Sequence, residues 1–251
     1  MSQKRIVVGG GGGFIGGHLV GSLLAQGHSV RSVDIKSTDN WYQVHPDADN
    51  VVADLSKLEN AEAACEGMDA AINVSVVRPH PVLAFHVNTV GAYNVAKACV
   101  ECGIKRLIHT GPFHTSLGFN ADYWNDFQVD DNIPLHPGDD LYALTKYLGG
   151  HITRVFAERE GLEVLTFVYT SFRPSAVLPE ERGRGLHPFT TSWEDTGEAM
   201  RYGLQAPEMP SPYETFFICA RLPHDKYRPD KAKQLLGWEA KDTFAALYTR
   251  P

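Results

Sequence analysis

The sequence predicts an α/β protein built on a doubly wound parallel sheet. Three observations carry that expectation. Short apolar runs alternate along the chain with segments of helical period. The runs are apolar on both faces, as strands covered by helices on each side must be. The 251 residues are 43% hydrophobic and 21% charged, ordinary globular composition with enough length for one sizeable core.

The elements follow in order. Arg5–Gly9 is the first strand and runs into glycines. From Phe14 the apolar residues Ile15, Leu19 and Leu23, with Val20 and Leu24, fall at helical spacing, and Gly27-His28 closes that helix. Ser29–Asp34 reads as strand two, Val51–Ala53 as strand three, Leu58–Cys65 as a short helix and Ala70–Val74 as strand four. Ala84–Cys102 is expected as one long helix ended by Gly103, and Leu107–His109 as strand five. A loop of about thirty residues follows, long enough to suggest a functional segment. Asp140–Glu160 is the next helix and Glu163–Phe172 a strand-rich run. Beyond Arg173-Pro174 the pattern changes: a Pro/Gly/Arg-rich stretch leads to a helix near Glu194–Leu204, a strand at Thr215–Cys219 and a last helix from Pro229-Asp230. The expected division is residues 1–172 as the sheet domain and 173–251 as a small cap over its open end, not an independent domain.

Charge and composition narrow the function classes. Twenty-three Lys+Arg against 30 Asp+Glu gives −7, without a basic block, which disfavours nucleic-acid and anionic-membrane partners. No run approaches the ~18 apolar residues of a membrane span, and Ile6-Val7-Val8 is too short for a signal segment, so a cytoplasmic location is the expectation. Cys65, Cys99, Cys102 and Cys219 do not form a disulfide framework. Cys99-Val-Glu-Cys102 is formally CxxC but closes a helix and lacks two further ligands at matching spacing, so no metal is expected.

Gly10, Gly13 and Gly16 form GxxGxxG directly after strand one and open a helix that begins Phe14-Ile15. Glycine there permits a tight turn, lets a pyrophosphate approach the helix N-terminus and lets helix and sheet pack closely. Asp34, eighteen residues beyond Gly16, ends strand two where a carboxylate accepts both adenosine ribose hydroxyls and repels a 2′-phosphate. The pattern therefore points to a Rossmann dinucleotide site that takes NAD, with NADP less favoured although Lys36 lies two residues on. Asp54-Leu55 is placed to flank the adenine, and Trp41 and Tyr42 either stack near it or sit on the surface.

Tyr142 and Lys146 stand i, i+4 on one helix face. A lysine ammonium near a phenol stabilises the phenolate and brings a tyrosine toward the range of a general base. The same lysine can hold the nicotinamide ribose.

With these residues in view, the chain resembles the extended short-chain dehydrogenases/reductases, the NAD-dependent epimerases and dehydratases. The likeness runs through Val8–His18, Val33–Lys36, Ala53–Leu55, Asn88–Asn94, Tyr142–Lys146, Phe172-Arg-Pro174 and Leu236-Gly-Trp238. The Asp34–Gln43 stretch is most similar to GDP-mannose-epimerase-type enzymes, and Gly91–Pro207 to uronate dehydrogenases. What the resemblance implies is Tyr142 as acid/base, Lys146 on the ribose and on Tyr142, Asn88 positioning the lysine through its backbone, and Asn73, Val74 and Ser75 lining the cofactor. It also implies a homodimer paired through Ala84–Cys102 and Asp140–Glu160, which carry apolar residues beyond one narrow face.

The family pattern has a Ser or Thr after strand five, and Pro112 stands there, without a donor. Thr110, Thr115, Ser116 and His114 are the nearby substitutes. About twenty residues separate Pro174 from the next helix, little room for a lobe that grips a nucleotide-sugar. A small polar substrate, a sugar or sugar acid, is the leading expectation, with Ser75, His114, Arg173 and Arg184 as candidate contacts; Arg173, Arg182 and Arg184 suit a carboxylate. The alternatives are a nucleotide-sugar epimerase or dehydratase with a shortened lobe, and a catalytically silent dinucleotide-binding protein.

Overall fold

A computed structural model describes residues 3–78, 80–115, 126–183 and 186–248. Strands β1 (Arg5–Gly9), β2 (Ser29–Asp34), β3 (Asp49–Val52), β4 (Ala70–Asn73), β5 (Arg106–Pro112), β6 (Glu163–Tyr169) and β9 (Tyr213–Phe217) form one sheet in the order β3-β2-β1-β4-β5-β6-β9. Every pairing is parallel. Strands β7 (Ser171–Arg173) and β8 (Thr190–Ser192) make a separate parallel pair. The chain order reverses between β1 and β4, and at such a switch point the loops after the two strands diverge and open a crevice.

Side-chain alternation explains why the sheet is covered twice. Ile6, Val8, Ile72, Ile108, Leu165 and Phe167 face one layer, packed on Leu19 and Leu23 of α1 (Phe14–Ala25) and on Ala199, Met200 and Leu204 of α6 (Trp193–Gln205). The alternate residues Val7, Val33, Ala71, Leu107 and Val164 face the other layer. There they meet Ala61, Ala64 and Cys65 of α2 (Leu58–Cys65), Val95, Ala96 and Cys99 of α4 (Gly91–Glu101), and Ala157 of α5 (Leu141–Glu160). All four cysteines are unpaired thiols, and Cys99 lies buried against Cys65.

Four elements depart from the sequence expectation. The helix expected over Ala84–Cys102 starts earlier, at α3 (Pro81–Ala84), and widens into a π turn over Phe85–Val90 before α4. Such widened turns recur at functional sites, and this one presents Val87 to the main cavity beside Gly91 at the start of α4. The run Glu163–Phe172 breaks at Thr170, so its end pairs with β8 rather than extending β6. Strand five is longer than expected, and its last residue Pro112 pairs with Tyr169. The stretch after residue 172 is more than a cap, because β9 completes the main sheet beside β6.

The C-terminal part is tied down by polar contacts. Asp195, buried near the start of α6, accepts the Lys241 and Asp242 amides, each at 3.0 Å. Residues 128–131 lie against residues 225–228: the Val129 amide donates to Lys226 O at 2.9 Å and the Arg228 amide to Val129 O at 2.9 Å. Asp131 ends that strap, where its Oδ2 accepts the Phe217 amide at 3.3 Å and its buried Oδ1 has no partner among the described residues. Burial, opposed by the Lys231 ammonium, pushes its carboxyl up to about 6.

A carboxyl raised on folding favours the fold fully below its unfolded pKa of about 3.9, and that contribution is lost as pH rises through about 6. Asp131→Asn should therefore gain on the wild type between pH 5 and pH 8, by an order of 1–2 kcal/mol at the upper end. Thermal melts at the two pH values measure it, and an equal difference at both would contradict the assignment.

Candidate active site

The site begins with a close approach of backbone. The Gly10 and Gly11 amides both donate to Val33 O, at 2.8 and 3.0 Å, which turns the chain sharply off β1. Gly10 has φ +82°, and a Cβ on it would lie 2.7 Å from the Ser75 amide nitrogen. A Cβ on Gly16 would lie 2.1 Å from Gly10 O. Only glycine lets the start of α1 and the loop after β4 meet this closely.

The crevice so formed is a cavity of about 650 Å³. Gly10, Gly13, Phe14, Ile15 and Gly16 line it at the helix N-terminus; Asp34, Ile35, Asp54 and Leu55 line it at the ends of β2 and β3; Asn73, Val74 and Ser75 line it after β4. The local contacts hold these walls. Asp34 accepts the Lys36 amide at 3.1 Å, Asp54 accepts the Ser56 amide and hydroxyl at 2.9 and 2.7 Å, and Asn73 Oδ1 accepts the Ser75 amide at 3.1 Å. Trp41 and Tyr42 do not line it. Trp41 is buried against Gly12 with its indole N–H on Lys36 O at 2.8 Å, and Tyr42 lies edge-on to Phe14. At the mouth, Phe172 of β7 stacks on Trp193 at 4.9 Å, and Trp193 stacks on His18 at 4.3 Å.

Tyr142 and Lys146 come from α5, whose N-terminus is capped by Asp140 accepting the Tyr142 and Ala143 amides at 3.3 and 3.1 Å. Lys146 is buried and donates to Ser75 O at 3.3 Å, which brings α5 to the cavity wall. Burial alone lowers its ammonium to about 7. It also faces a small space lined by His109, Thr115 and Thr166 together with Leu135 and Val168. His109 is held neutral, first by burial and then by the Lys146 charge, and neither ring nitrogen has a partner among the described residues.

The cation acting on Tyr142 differs from the sequence expectation. Burial pushes the Tyr142 phenol above its usual range, Arg78 opposes that rise by its charge and a hydrogen bond, and Asp140 adds to it. The Arg78 guanidinium carbon lies 5.1 Å from the centre of the Tyr142 ring, and Arg78 also lines the cavity. Sequence reading missed Arg78. Its signal was available: it is the one Lys, Arg, Asp or Glu between Asp69 and Lys97, and it follows a strand end on the ligand side of the sheet.

Asn88 acts through its side chain as well as its backbone. Its amide donates to Val77 O at 2.7 Å and to Thr145 Oγ1 at 3.0 Å, while its Oδ1 accepts the Val77 amide at 3.0 Å. Its carbonyl lies where a Cβ on Gly149 would come within 2.2 Å, so it presses on α5 one turn beyond Lys146.

The two threonines that could substitute for the hydroxyl absent at Pro112 are otherwise engaged. Thr110 donates to Asn73 O at 2.9 Å and Thr115 to Pro112 O at 2.9 Å. The His114 side chain, Ser116 and Arg184 lie outside the described residues. Arg173 donates through Nη2 to both Glu181 oxygens, at 3.1 and 3.0 Å, and lies over the Phe244 ring, contacts that brace the tail. Among the described residues no helix is long and apolar enough to cross a membrane, and no three His, Cys, Asp or Glu are grouped to hold a metal ion.

Comparison with known proteins agrees with this geometry. The 3-beta-hydroxysteroid dehydrogenase of Mycolicibacterium neoaurum is 32% identical over 192 residues, 72% of this chain and 48% of that protein. A putative UDP-glucose 4-epimerase of Methanocaldococcus jannaschii is 28% identical over 66% of this chain and 55% of its own length. The chain thus spans about half the length of these curated relatives. In fold it is similar to uronate dehydrogenase from Agrobacterium tumefaciens, with a TM-score of 0.81 and 20% identity across 100% of this chain and 91% of that one. Residues 6–183, more than half of the chain, match the model of one family: the chain belongs to the NAD dependent epimerase/dehydratase family.

Proposed function

We propose that the protein binds NAD in the cavity after β1 and interconverts a secondary alcohol and a ketone on a small polar substrate, a sugar or sugar acid. The observation that carries the reading is one cavity, walled at one end by the glycine turn and Asp34 and running along the loop after β4 to Arg78, whose guanidinium carbon lies 5.1 Å from the Tyr142 ring centre. The volume suits a dinucleotide-sized ligand, and the walls suit its parts. The free amides at the start of α1 and the helix dipole favour a pyrophosphate, and the space that a Cβ on Gly10 or Gly16 would need is taken by backbone. Asp34 suits the two hydroxyls of a ribose, and Leu55 with Ile35 offers apolar contact to an adenine.

When bound, the dinucleotide supplies hydride transfer. The chain's part is to hold the substrate oxygen and move its proton. Tyr142 is the proton donor in reduction and acceptor in oxidation. Lys146, its ammonium lowered by burial to about 7 and anchored on Ser75 O, is set to hold a ribose hydroxyl. The family membership and the steroid dehydrogenase and sugar epimerase relatives support this class of chemistry.

The apolar faces of the two long helices support pairing of two copies. Val82, Leu83, Phe85, Val90 and Tyr93, with Leu144 and Val155 of α5, are exposed. Exposed apolar residues on both elements fit a surface that another copy covers.

Three measurements test the reading. Calorimetric titration should show NAD binding more tightly than NADP, with Asp34→Ala losing about tenfold for NAD and most of the preference; an NADP preference unchanged by that substitution would reject the Asp34 assignment. Tyr142→Phe should abolish NADH formation from a panel of uronic acids, aldoses and small secondary alcohols while leaving NAD affinity within a few-fold. No activity in the wild type on any of them would favour a silent binder, and full activity in the variant would move the proton transfer elsewhere. Sedimentation at tens of micromolar should give a dimer that Tyr93→Glu converts to monomer; a wild-type monomer at that concentration contradicts the pairing.

A further inference from the structure

We propose that Arg78 is a catalytic residue of this site: it donates to the Tyr142 hydroxyl and to the reacting oxygen of the substrate, in place of the hydroxyl that Pro112 removes. The inference rests on the functional reading above and adds to it the group that stabilises the developing charge.

Four observations carry it. First, Arg78 lies beside the reacting group. Its guanidinium carbon sits over the Tyr142 ring, 5.1 Å from the centre, where its charge opposes the upward push of burial on the phenol. Second, Arg78 lines the same cavity as the glycine turn, so a substrate oxygen that reaches Tyr142 from that cavity meets Arg78 as well. Third, the nearby threonine hydroxyls among the described residues donate to main-chain carbonyls: Thr110 to Asn73 O and Thr115 to Pro112 O, each at 2.9 Å. Fourth, Arg78 is held in place. Its neighbour Val77 is gripped through both its N–H and C=O by Asn88, at 3.0 and 2.7 Å, and the same Asn88 amide reaches Thr145, whose hydroxyl donates to Tyr142 O at 3.1 Å. One asparagine therefore fixes the loop bearing the cation and the helix bearing the phenol in a common frame.

The chemistry follows from charge. In oxidation the carbinol C–H bond breaks, its electron pair and hydrogen pass as hydride to the nicotinamide dinucleotide, and the O–H proton passes to the Tyr142 oxygen, leaving C=O. Reduction is the reverse. Arg78 keeps its proton throughout and exchanges no atom. It stabilises negative charge on the phenolate before the transfer and on the substrate oxygen during it. The other charges that bear on this pair are Asp140, which caps α5 and opposes the phenolate, and Lys146, which lies one turn on and faces Ser75 O and His109.

The test uses the full chain with Arg78→Met, Arg78→Lys, Tyr142→Phe and the wild type. Ultraviolet difference titration of tyrosinate in the cofactor-free protein, wild type minus Tyr142→Phe, reads Tyr142 directly. Arg78→Met should move that titration to higher pH, and Arg78→Lys should restore part of the shift. With NAD and an active substrate, kcat should fall by about 100-fold or more in Arg78→Met, and its pH profile should move the same way. NAD affinity, read by fluorescence titration, should change by no more than a few-fold. The proposal is overturned if Arg78→Met leaves the tyrosinate titration unmoved, or if it weakens NAD binding with kcat unchanged, the behaviour of a cofactor-phosphate cation. A wild type that transfers no hydride rejects the functional reading instead, while the tyrosinate titration still decides whether Arg78 acts on Tyr142.

Discussion

Backbone meets backbone at the end of β1 with no room for a side chain, and the rest of the molecule is arranged around that contact. Gly10 O occupies the place a Gly16 Cβ would take, and the Ser75 amide occupies the place of a Gly10 Cβ. Because α1 can approach the turn and the turn can approach the loop after β4, the switch point of the sheet opens as one cavity rather than closing on side chains. The same contact sets Ser75 where its carbonyl receives the Lys146 ammonium, so the glycine turn and α5, far apart in sequence, share a wall.

Burial then decides the electrostatics. Lys146 loses enough hydration for its ammonium to titrate near 7, and burial, with the Lys146 charge second, lowers the His109 imidazole well below its usual range. The Tyr142 phenol is pushed upward by the same desolvation, and Arg78 from the β4 loop counters the rise. Two cations thus serve two places: Lys146 the inner wall toward Ser75, Arg78 the phenol.

How much of this was legible in the sequence depends on how local each feature is. The turn, α1, β2 and Asp34 were readable because glycine sterics, helical period and strand ends act over a few residues. The start of α5 was readable from Asp140, whose side chain caps it. What sequence could not show are contacts between distant segments. Trp41 disappears beneath Gly12 because no side chain stands there, Arg173 is claimed by Glu181, and the Thr110 and Thr115 hydroxyls are claimed by carbonyls that only the fold brings near. The π turn at Phe85–Val90 follows the ordinary helical pattern in sequence, and its widening is fixed where Asn88 reaches Val77 and Thr145. The seventh strand was expected at nearly the right place, but its membership of the main sheet depends on pairing with β6.

Running from the glycine turn to Arg78, the cavity is the premise of the whole account, and a crystal structure of the protein with NAD tests it most directly. The expected result places the adenosine ribose hydroxyls on Asp34, the pyrophosphate at Gly13–Ile15 and the nicotinamide end beside Tyr142 and Arg78. NAD bound elsewhere, or in this cavity with its adenine at Tyr142, would contradict it.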